Sequence, residues 1–272
     1  MTTYQTTHLV FFSPTHTSAK IARAIAEGIG MPRRIETDLT LDEETTPICI
    51  EDSLTIVAAP VYGGRIAEVA IERIKRLQGK NSPVIVVALY GNRDYEDALV
   101  ELRDLTAGNG FTPLAAGAFI GEHSYSRANE GMPIAAGRPD ADDLAKAEAF
   151  GKACLDKLNA AIAEKGTENI LAEISNFFVK GNVPYKVITH GTPTCPVSTE
   201  DCFACGECIE VCPTHAISLS EDGNSIETDV NRCIRCCACV KECPAGARIY
   251  NTPYTARLFQ NFSARREPET FL

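Results

Sequence analysis

The chain has 272 residues and a net charge of −10, with 44% hydrophobic and 23% charged side chains. At about 150 residues per domain this length fits one large domain or two smaller ones, and the composition argues against wholesale disorder. The acidic total argues against an extended nucleic-acid surface, and the apolar runs are far shorter than the roughly 20 residues that cross a bilayer.

Twelve cysteines are the unusual feature of this composition. The first ten residues show no basic segment followed by an apolar one, so no export signal is visible and we expect a cytoplasmic location. Cysteines in such a chain serve as metal ligands or reactive thiols more often than as disulfides. Only Cys49 and Cys154 precede residue 195, and the other ten lie between Cys195 and Cys243. The chain therefore divides near residue 190 into two parts.

The first part alternates apolar runs with helical patterns. Nearly continuous apolar runs are typical of strands covered on both faces, and they occupy residues 9–12, 54–59, 84–89 and 114–120, with a shorter candidate at 34–37. Helical patterns lie between them at residues 18–28, 67–78, 95–107 and 140–163. This alternation predicts an α/β fold with a doubly wound parallel sheet, in which ligands bind beyond the carboxyl ends of the strands.

The loop after the first run is rich in hydroxyl groups. Ser13, Thr15, Thr17 and Ser18 surround His16 and lead directly into a predicted helix. Unpaired N–H groups and the helix dipole favour an anion at such a position, and the hydroxyls add donors, so the loop suits a phosphate. The alternative is an ordinary Ser/Thr cap beside a turn proline.

Two further loops follow the third and fourth strands. Each combines aromatic side chains with glycine, which gives a flat ligand both a stacking surface and a close approach to the backbone. The first consists of Pro60, Val61, Tyr62, Gly63 and Gly64, and the second of Tyr90, Gly91, Asn92, Arg93, Asp94 and Tyr95. A simple turn with a partly exposed tyrosine is the alternative.

These three loops resemble those of the flavodoxin family over about residues 8–160. The resemblance implies a five-stranded sheet of order 2-1-3-4-5, phosphate contacts from the first loop, ring contacts from the other two, and FMN rather than FAD. The family usually has glycine where this chain has His16, which either donates to the phosphate or points into solvent. Because the chain has no tryptophan, ring stacking falls to Tyr62 or Tyr90.

The segment 121–139 is long for a connection between a strand and a helix. Connections above about 12 residues are usually functional lids or disordered. This one carries His123, Tyr125 and Arg127 on the expected cofactor side of the sheet. It is interpreted as a flap over the flavin, with a mobile surface loop as the alternative.

The cysteines of the second part form two identical runs, each C-x2-C-x2-C-x3-C-P. This spacing is that of bacterial ferredoxins, in which the fourth cysteine serves the other cluster. It predicts two 4Fe–4S clusters. One has the ligands Cys202, Cys205, Cys208 and Cys243, and the other has Cys233, Cys236, Cys239 and Cys212.

Zinc is the alternative metal, but its four-cysteine sites use paired knuckles rather than two four-cysteine runs that end in proline. Four cysteines remain outside the ligand sets. Cys154 is expected in the core, Cys237 is expected to pack near a cluster, and Cys195 is a less favoured alternative ligand.

The predicted domains are a flavodoxin-like FMN domain at 1–165, a connecting helix and linker at 166–194, a small α+β ferredoxin domain at 195–250 and a tail at 251–272. Residues 168–180 have helical apolar spacing and are predicted to dock the two domains. The tail carries several aromatic residues and either packs on the body or joins a partner chain.

Together the two parts resemble the flavodoxin–ferredoxin fusion proteins of anaerobes, over about residues 8–250. The expected function is single-electron transfer between two 4Fe–4S clusters and FMN, linking low-potential redox partner proteins. Acidic residues outnumber basic ones between residues 195 and 250, which lowers cluster potentials and attracts basic partners. The alternatives are a flavin-dependent reductase of a bound substrate and a redox sensor. No nucleic-acid or membrane partner is expected, and a homodimer stays open.

Overall fold

Five parallel strands form the centre of a sheet in the computed structural model, which describes residues 4–165, 174–189 and 191–272. In sheet order they are β2 (Arg33–Asp38), β1 (Thr6–Phe11), β4 (Leu54–Tyr62), β7 (Pro83–Tyr90) and β8 (Thr112–Ile120). Every adjacent pair is parallel. The chain therefore has the expected flavodoxin-like α/β fold, with the order reversing at β1 and β4, where such sheets bind ligands.

Helices cover both faces of this sheet. They are α1 (Thr17–Ile29), α2 (Glu68–Ile74), α3 (Ala98–Gly108) and α4 (Ala141–Lys165). Side chains alternate along β1, so Leu9 and Phe11 join the core beneath α1 and α4, whereas Val10 and Phe12 join the core beneath α2 and α3. Burial on both faces explains why the strands are continuous apolar runs.

Helices α1 and α4 meet at two glycines. A Cβ on Gly28 would stand 1.9 Å from the carbonyl oxygen of Glu148, and one on Gly151 would stand 2.1 Å from the carbonyl oxygen of Ile25. Any larger side chain would force the two backbones apart. Cys154 is fully buried in the same core, as expected for a packing residue.

The region after β4 differs from its prediction. The helix predicted at 67–78 ends at Ile74, because Leu77–Lys80 forms β6, which pairs in parallel with β3 (Ile48–Glu51). Strand β4 turns back through Gly63 and Gly64 into β5 (Arg65–Ile66). Both glycines have positive φ, 64° and 89°, as two-residue hairpin turns of this kind require.

Short elements make up the cysteine-rich part. They are β9 (Val197–Ser198), α5 (Glu207–Glu210), β10 (Ile217–Leu219), β11 (Ile226–Thr228), α6 (Ala238–Lys241) and β12 (Arg248–Ile249). Strand β10 pairs with β11, and β12 with β9, both antiparallel. Positive φ recurs at the same places in the two cysteine runs, at Ala204 and Gly206 and again at Arg235 and Cys237. The two runs therefore follow the same backbone path.

The tail returns to the first part of the chain. Helix α7 (Tyr254–Phe262) is followed by β13 (Glu269–Phe271), which pairs antiparallel with β8 at the edge of the main sheet. Arg138 donates to the carbonyl oxygen of Arg266 at 2.8 Å. The predicted tail 251–272 thus contributes an edge strand to the main sheet, so it packs on its own chain.

The connection between the two parts lies against the main sheet. Of the helix predicted at 168–180, residues 168–173 lie outside the described residues, and residues 176–180 have no helical structure. Ile174 and Phe177 pack on the two cores of the first part. Buried Asp97 accepts hydrogen bonds from the backbone amides of Asn182 and Lys186 at 2.8 and 2.7 Å. The described residues of this segment therefore anchor on the first part, and docking of the second part stays a prediction.

Within the described ranges, none of the helices combines the length and apolar character needed to cross a bilayer.

Candidate functional site

The hydroxyl-rich loop lies between β1 and the start of α1. The Ser13 hydroxyl accepts a hydrogen bond from the Ala19 amide at 3.0 Å, so Ser13 acts as a helix cap. The hydroxyl of Ser18 is buried and has no partner among the described residues, while Thr15 and Thr17 are partly exposed. A buried hydroxyl without a partner is costly unless a ligand completes it. Ser18 at the first turn of α1 therefore fits an anion such as a phosphate.

His16 contacts the cysteine-rich part. Its φ of 63° lies in the left-handed region, which explains why glycine is usual at this position. The ring is 65% exposed, and its Nε2 lies 3.3 Å from Oε1 of Glu242, next to the predicted ligand Cys243. The predicted alternatives are a phosphate donor or a side chain in solvent, and the structure adds a contact with Glu242 across the two parts.

Tyr62 of the second predicted loop lies beside the second cysteine run. Burial raises the pKa of its hydroxyl well above the ordinary value, and the neighbouring thiols of Cys236 and Cys237 raise it further. Pro60 and Val61 precede it on β4, and Gly63 and Gly64 form the hairpin turn. The predicted ring loop thus faces the iron–sulfur part of the chain.

Tyr90 and Tyr95 of the third predicted loop are core residues. Their exposed fractions are 3% and 0%, and their ring centroids lie 5.5 Å apart. The hydroxyl of Tyr95 donates to Glu269 of the tail at 2.7 Å, and burial raises the pKa of Tyr90 to about 12. Both rings lie in the apolar layer beneath α3, and the stacking role predicted for Tyr90 stays a prediction.

The rest of that loop is held by neighbouring segments. The Asn92 side-chain amide donates to the carbonyl oxygens of Phe262 and Ala264 in the tail, at 2.5 and 2.8 Å. Arg93 forms an ion pair with Glu96 at 2.6 Å, and Asp94 lies 3.4 Å from Lys180. A Cβ on Gly91 would collide with the His123 ring. The tail and the predicted flap therefore both pack on this loop.

The predicted flap is packed, not free. Tyr125 stacks edge-on against Tyr250 of the second part, with centroids 5.1 Å apart, and Glu122 lies 3.4 Å from Lys241. Burial lowers the pKa of His123 to about 4, and the cations of Arg93 and Lys241 act in the same direction. The Nδ1 atom of His123 accepts the Tyr125 amide proton at 3.0 Å. His123 is therefore neutral near pH 7, with its ring proton on Nε2.

Arg127, the third flap residue, pairs with Glu130 within the segment. Among the described residues, it has no hydrogen bond or ion pair with the second part.

The second ligand set lines one cavity. Cys212, Cys233, Cys236 and Cys239 surround it, together with Cys237 and Ile234. Burial raises the pKa of Cys236 to about 12 and that of Cys239 to about 11. Deprotonating such thiols without a metal is costly, so a metal centre is the partner that this chemistry fits.

The first ligand set is more open. Cys208 is buried beside Cys202 and Cys205, and Cys205 is exposed. The place of Cys243 in this set stays a prediction. Phe203, between the first two cysteines, is 67% exposed.

The two metal alternatives require different arrangements of thiols. Among the described residues, no three His, Cys, Asp or Glu side chains converge closely enough to hold a single metal ion. A tetrahedral zinc site needs such convergence. In a 4Fe–4S cluster each thiolate binds a different iron, so the sulfurs stand farther apart. The preference for clusters over zinc rests on the spacing of the cysteines in the sequence.

Sequence reasoning missed four residues that join or support the two sites. Lys241, Glu242 and Tyr250 contact the first part, and no motif signals them. The fourth, Arg248, is 2% exposed beside the cysteines. A comparison of the two cysteine runs would have revealed Arg248, because the equivalent position after the first run holds the apolar Ile217.

Comparisons with known proteins agree with the cysteine pattern. Residues 185–247 match a family described as a 4Fe-4S dicluster domain. The chain is 38% identical over 52 residues to the iron–sulfur cluster-binding subunit of menaquinone reductase from Nitratidesulfovibrio vulgaris. This match spans 18% of the chain and 20% of that protein.

Solved structures similar to the first part include two flavodoxins. One, from the domain Archaea, has a TM-score of 0.34 and 15% identity, covering 57% of this chain and 99% of its own. The other, from Streptococcus pneumoniae TIGR4, has a TM-score of 0.37 and 16% identity, covering 57% and 98%. The fold assignment rests on the observed strand order. The chain thus combines a flavodoxin-like α/β fold with a cysteine-rich C-terminal part that matches the 4Fe-4S dicluster family over residues 185–247.

Proposed function

We propose that this chain transfers single electrons between FMN and two 4Fe–4S clusters held within the same polypeptide, linking low-potential redox partner proteins. When bound, the clusters supply one-electron chemistry and the flavin supplies one- or two-electron chemistry. The observation that carries the proposal is the position of Tyr62, a predicted flavin contact, beside Cys236 and Cys237.

The FMN phosphate is assigned to the loop before α1. The unpartnered hydroxyl of Ser18 and the partly exposed Thr15 and Thr17 supply donors there, at the positive end of the helix dipole. The ring is assigned to the space between Tyr62 and the flap, where His123 and Tyr125 lie against each other with centroids 5.0 Å apart. These residues would hold and orient the ring and exclude water from it.

The cluster site nearer the flavin is the one lined by Cys212, Cys233, Cys236 and Cys239. Cys237 lines the same cavity and lies near both Tyr62 and Tyr125, so it bridges the two sites without being a predicted ligand. Ile234 packs on the core of the first part. These contacts lie within one chain, so the proposed transfer needs no second copy.

The other cluster site is proposed to face the redox partner. Cys205 and Phe203 are exposed there, and the acidic side chains around them, Glu200, Asp201 and Glu207, are exposed as well. A face of this charge steers basic partners.

The two alternative functions gain no support from the geometry. A flavin-dependent reductase would need an acid over the ring, but His123 is neutral near pH 7 and Tyr125 is covered by Tyr250. A sensor acting through a free tail conflicts with the pairing of β13 to the main sheet.

Anaerobic purification followed by iron, sulfide and flavin analysis tests the proposal. About eight irons and one FMN per chain are expected, and zinc without flavin would refute it. The variant C205S should lose iron, whereas C49S, at an exposed cysteine outside both sets, should keep it.

Pulse radiolysis tests whether transfer occurs within one chain. An electron introduced at the iron–sulfur sites should reach the flavin at a rate that does not depend on protein concentration. A rate proportional to concentration would assign the transfer to two chains.

A further inference from the structure

Arg248 is a buried cation that has only neutral hydrogen-bond acceptors. It is 2% exposed, and its guanidinium donates to the Ser198 hydroxyl, the Pro196 carbonyl and the Thr228 hydroxyl at 3.1, 3.0 and 2.9 Å. Its Nε is buried without a partner. In the described part of the chain, no carboxylate lies within ion-pair distance of it. A buried charge of this kind is strongly unfavourable unless an anion balances it.

The groups that face this guanidinium are cysteines of both ligand sets. The strand that carries Arg248, β12, packs on helix α6, which carries Cys239. The positive charge of Arg248 acts on the thiols of Cys239 and Cys208, one from each predicted set. Arg248 thus acts on one cysteine of each predicted cluster site.

The internal repeat supplies a comparison within the molecule. Arg248 follows Cys243 by the same number of residues as Ile217 follows Cys212, and the two cysteine runs share one backbone path. Ile217 is 6% exposed and lines the cavity of the second ligand set. An apolar side chain therefore fills this position in one half, so packing alone does not require an arginine in the other.

We propose that Arg248 is the counter-cation of the iron–sulfur centres and raises their reduction potentials. The inference rests on the proposed function, because it assumes that the cysteines hold clusters. Reduction adds negative charge to a cluster, and a nearby fixed cation stabilises the reduced form. At an effective dielectric constant of about 20, a unit charge a few ångströms away changes an equilibrium by more than a factor of ten. Arg248 would thus offset the lowering of the potentials by the acidic residues of this domain.

Potentiometric titration of the purified full chain, followed by electron paramagnetic resonance, tests the role of Arg248. The variant R248Q keeps a hydrogen-bonding side chain and removes the charge, R248I copies the other repeat, and R248K keeps the charge. We expect R248Q and R248I to lower the midpoint potentials by at least about 59 mV, which for one electron is a tenfold lower reduced-to-oxidised ratio at a given potential. R248K should stay close to the wild type.

Each outcome decides the inference. Unchanged potentials in R248Q would overturn it, as would an equal drop in R248K. If the neutral variants fail to assemble clusters, retention of iron by R248K supports the counter-cation, and equal loss of iron in R248K overturns it. Iron analysis of the wild type separates this test from the proposed function. A wild type without clusters refutes the function, whereas assembled clusters with unchanged potentials refute only the role of Arg248.

Discussion

Replacing Gly151 by alanine tests directly how helices α1 and α4 are held together. The added Cβ would lie 2.1 Å from the carbonyl oxygen of Ile25 and 3.1 Å from its Cα, whereas favourable carbon contacts begin at about 3.5 Å. Because both atoms belong to the backbone, the helices must separate by roughly 1 Å, which forfeits a quarter to a half of the dispersion energy across the contact. We expect G151A to lower the free energy of unfolding by about 1–3 kcal/mol.

Gly108 provides the matched control. It also lies in a helix, but nothing stands within 4 Å of the Cβ it would gain. Alanine there should leave stability unchanged or raise it by about 0.5–1 kcal/mol. Urea unfolding followed by circular dichroism measures both variants, and a slope of about 3 kcal/mol/M converts the expected loss for G151A into a midpoint lower by roughly 0.3–1 M. Equal midpoints for G151A and G108A would refute the proposed contact.

Three further outcomes follow from burial and charge. D143N leaves the buried guanidinium of Arg138 without its anion and should lower the free energy of unfolding by about 3–5 kcal/mol. E72Q, which breaks the exposed pair with Lys75, should lower it by at most about 1 kcal/mol. Urea unfolding midpoints measure both changes. Since the pKa of His123 falls from 6.5 to about 4 on folding, its contribution to stability is complete above pH 6.5 and is lost as the pH falls toward 4. The advantage of the wild type over H123Q in urea should shrink across this window, and a constant advantage would contradict the burial of a neutral ring. Asp97 accepts hydrogen bonds from the backbone amides of Asn182 and Lys186, so D97A should speed tryptic cleavage after Lys186. An unchanged cleavage rate would show that other contacts hold the linker.

Sequence reasoning located the strand-end loops, because a parallel sheet leaves few places for a ligand. It could not assign the rings within them. Tyr62 and Tyr90 both end buried strands and carry the same chemistry, but Tyr90 points into the core, where Tyr95 packs against it. Both rings pack in the same core, and how fully each is covered depends on neighbouring segments that are distant in sequence.

The glycine pair after Tyr62 is a local signal in favour of the simple turn that is the alternative there. Two glycines between short apolar segments are typical of a two-residue hairpin, and the structure has one. The contacts between the two halves had no such signal. His16 meets Glu242, and Tyr125 meets Tyr250, through pairings of residues that are distant in sequence and have no motif of their own.

The return of β13 to the main sheet makes the order of synthesis matter. Its partner strand, β8, is complete before the flap, α4 and both cysteine runs are made, yet this edge stays open until the last residues of the chain arrive. Such distant pairing slows folding, because the intervening chain must first be closed into a loop. An unpaired edge is also a site where chains can associate wrongly. Early folding of the intervening parts would shorten the loop that β13 must close and would protect this edge sooner.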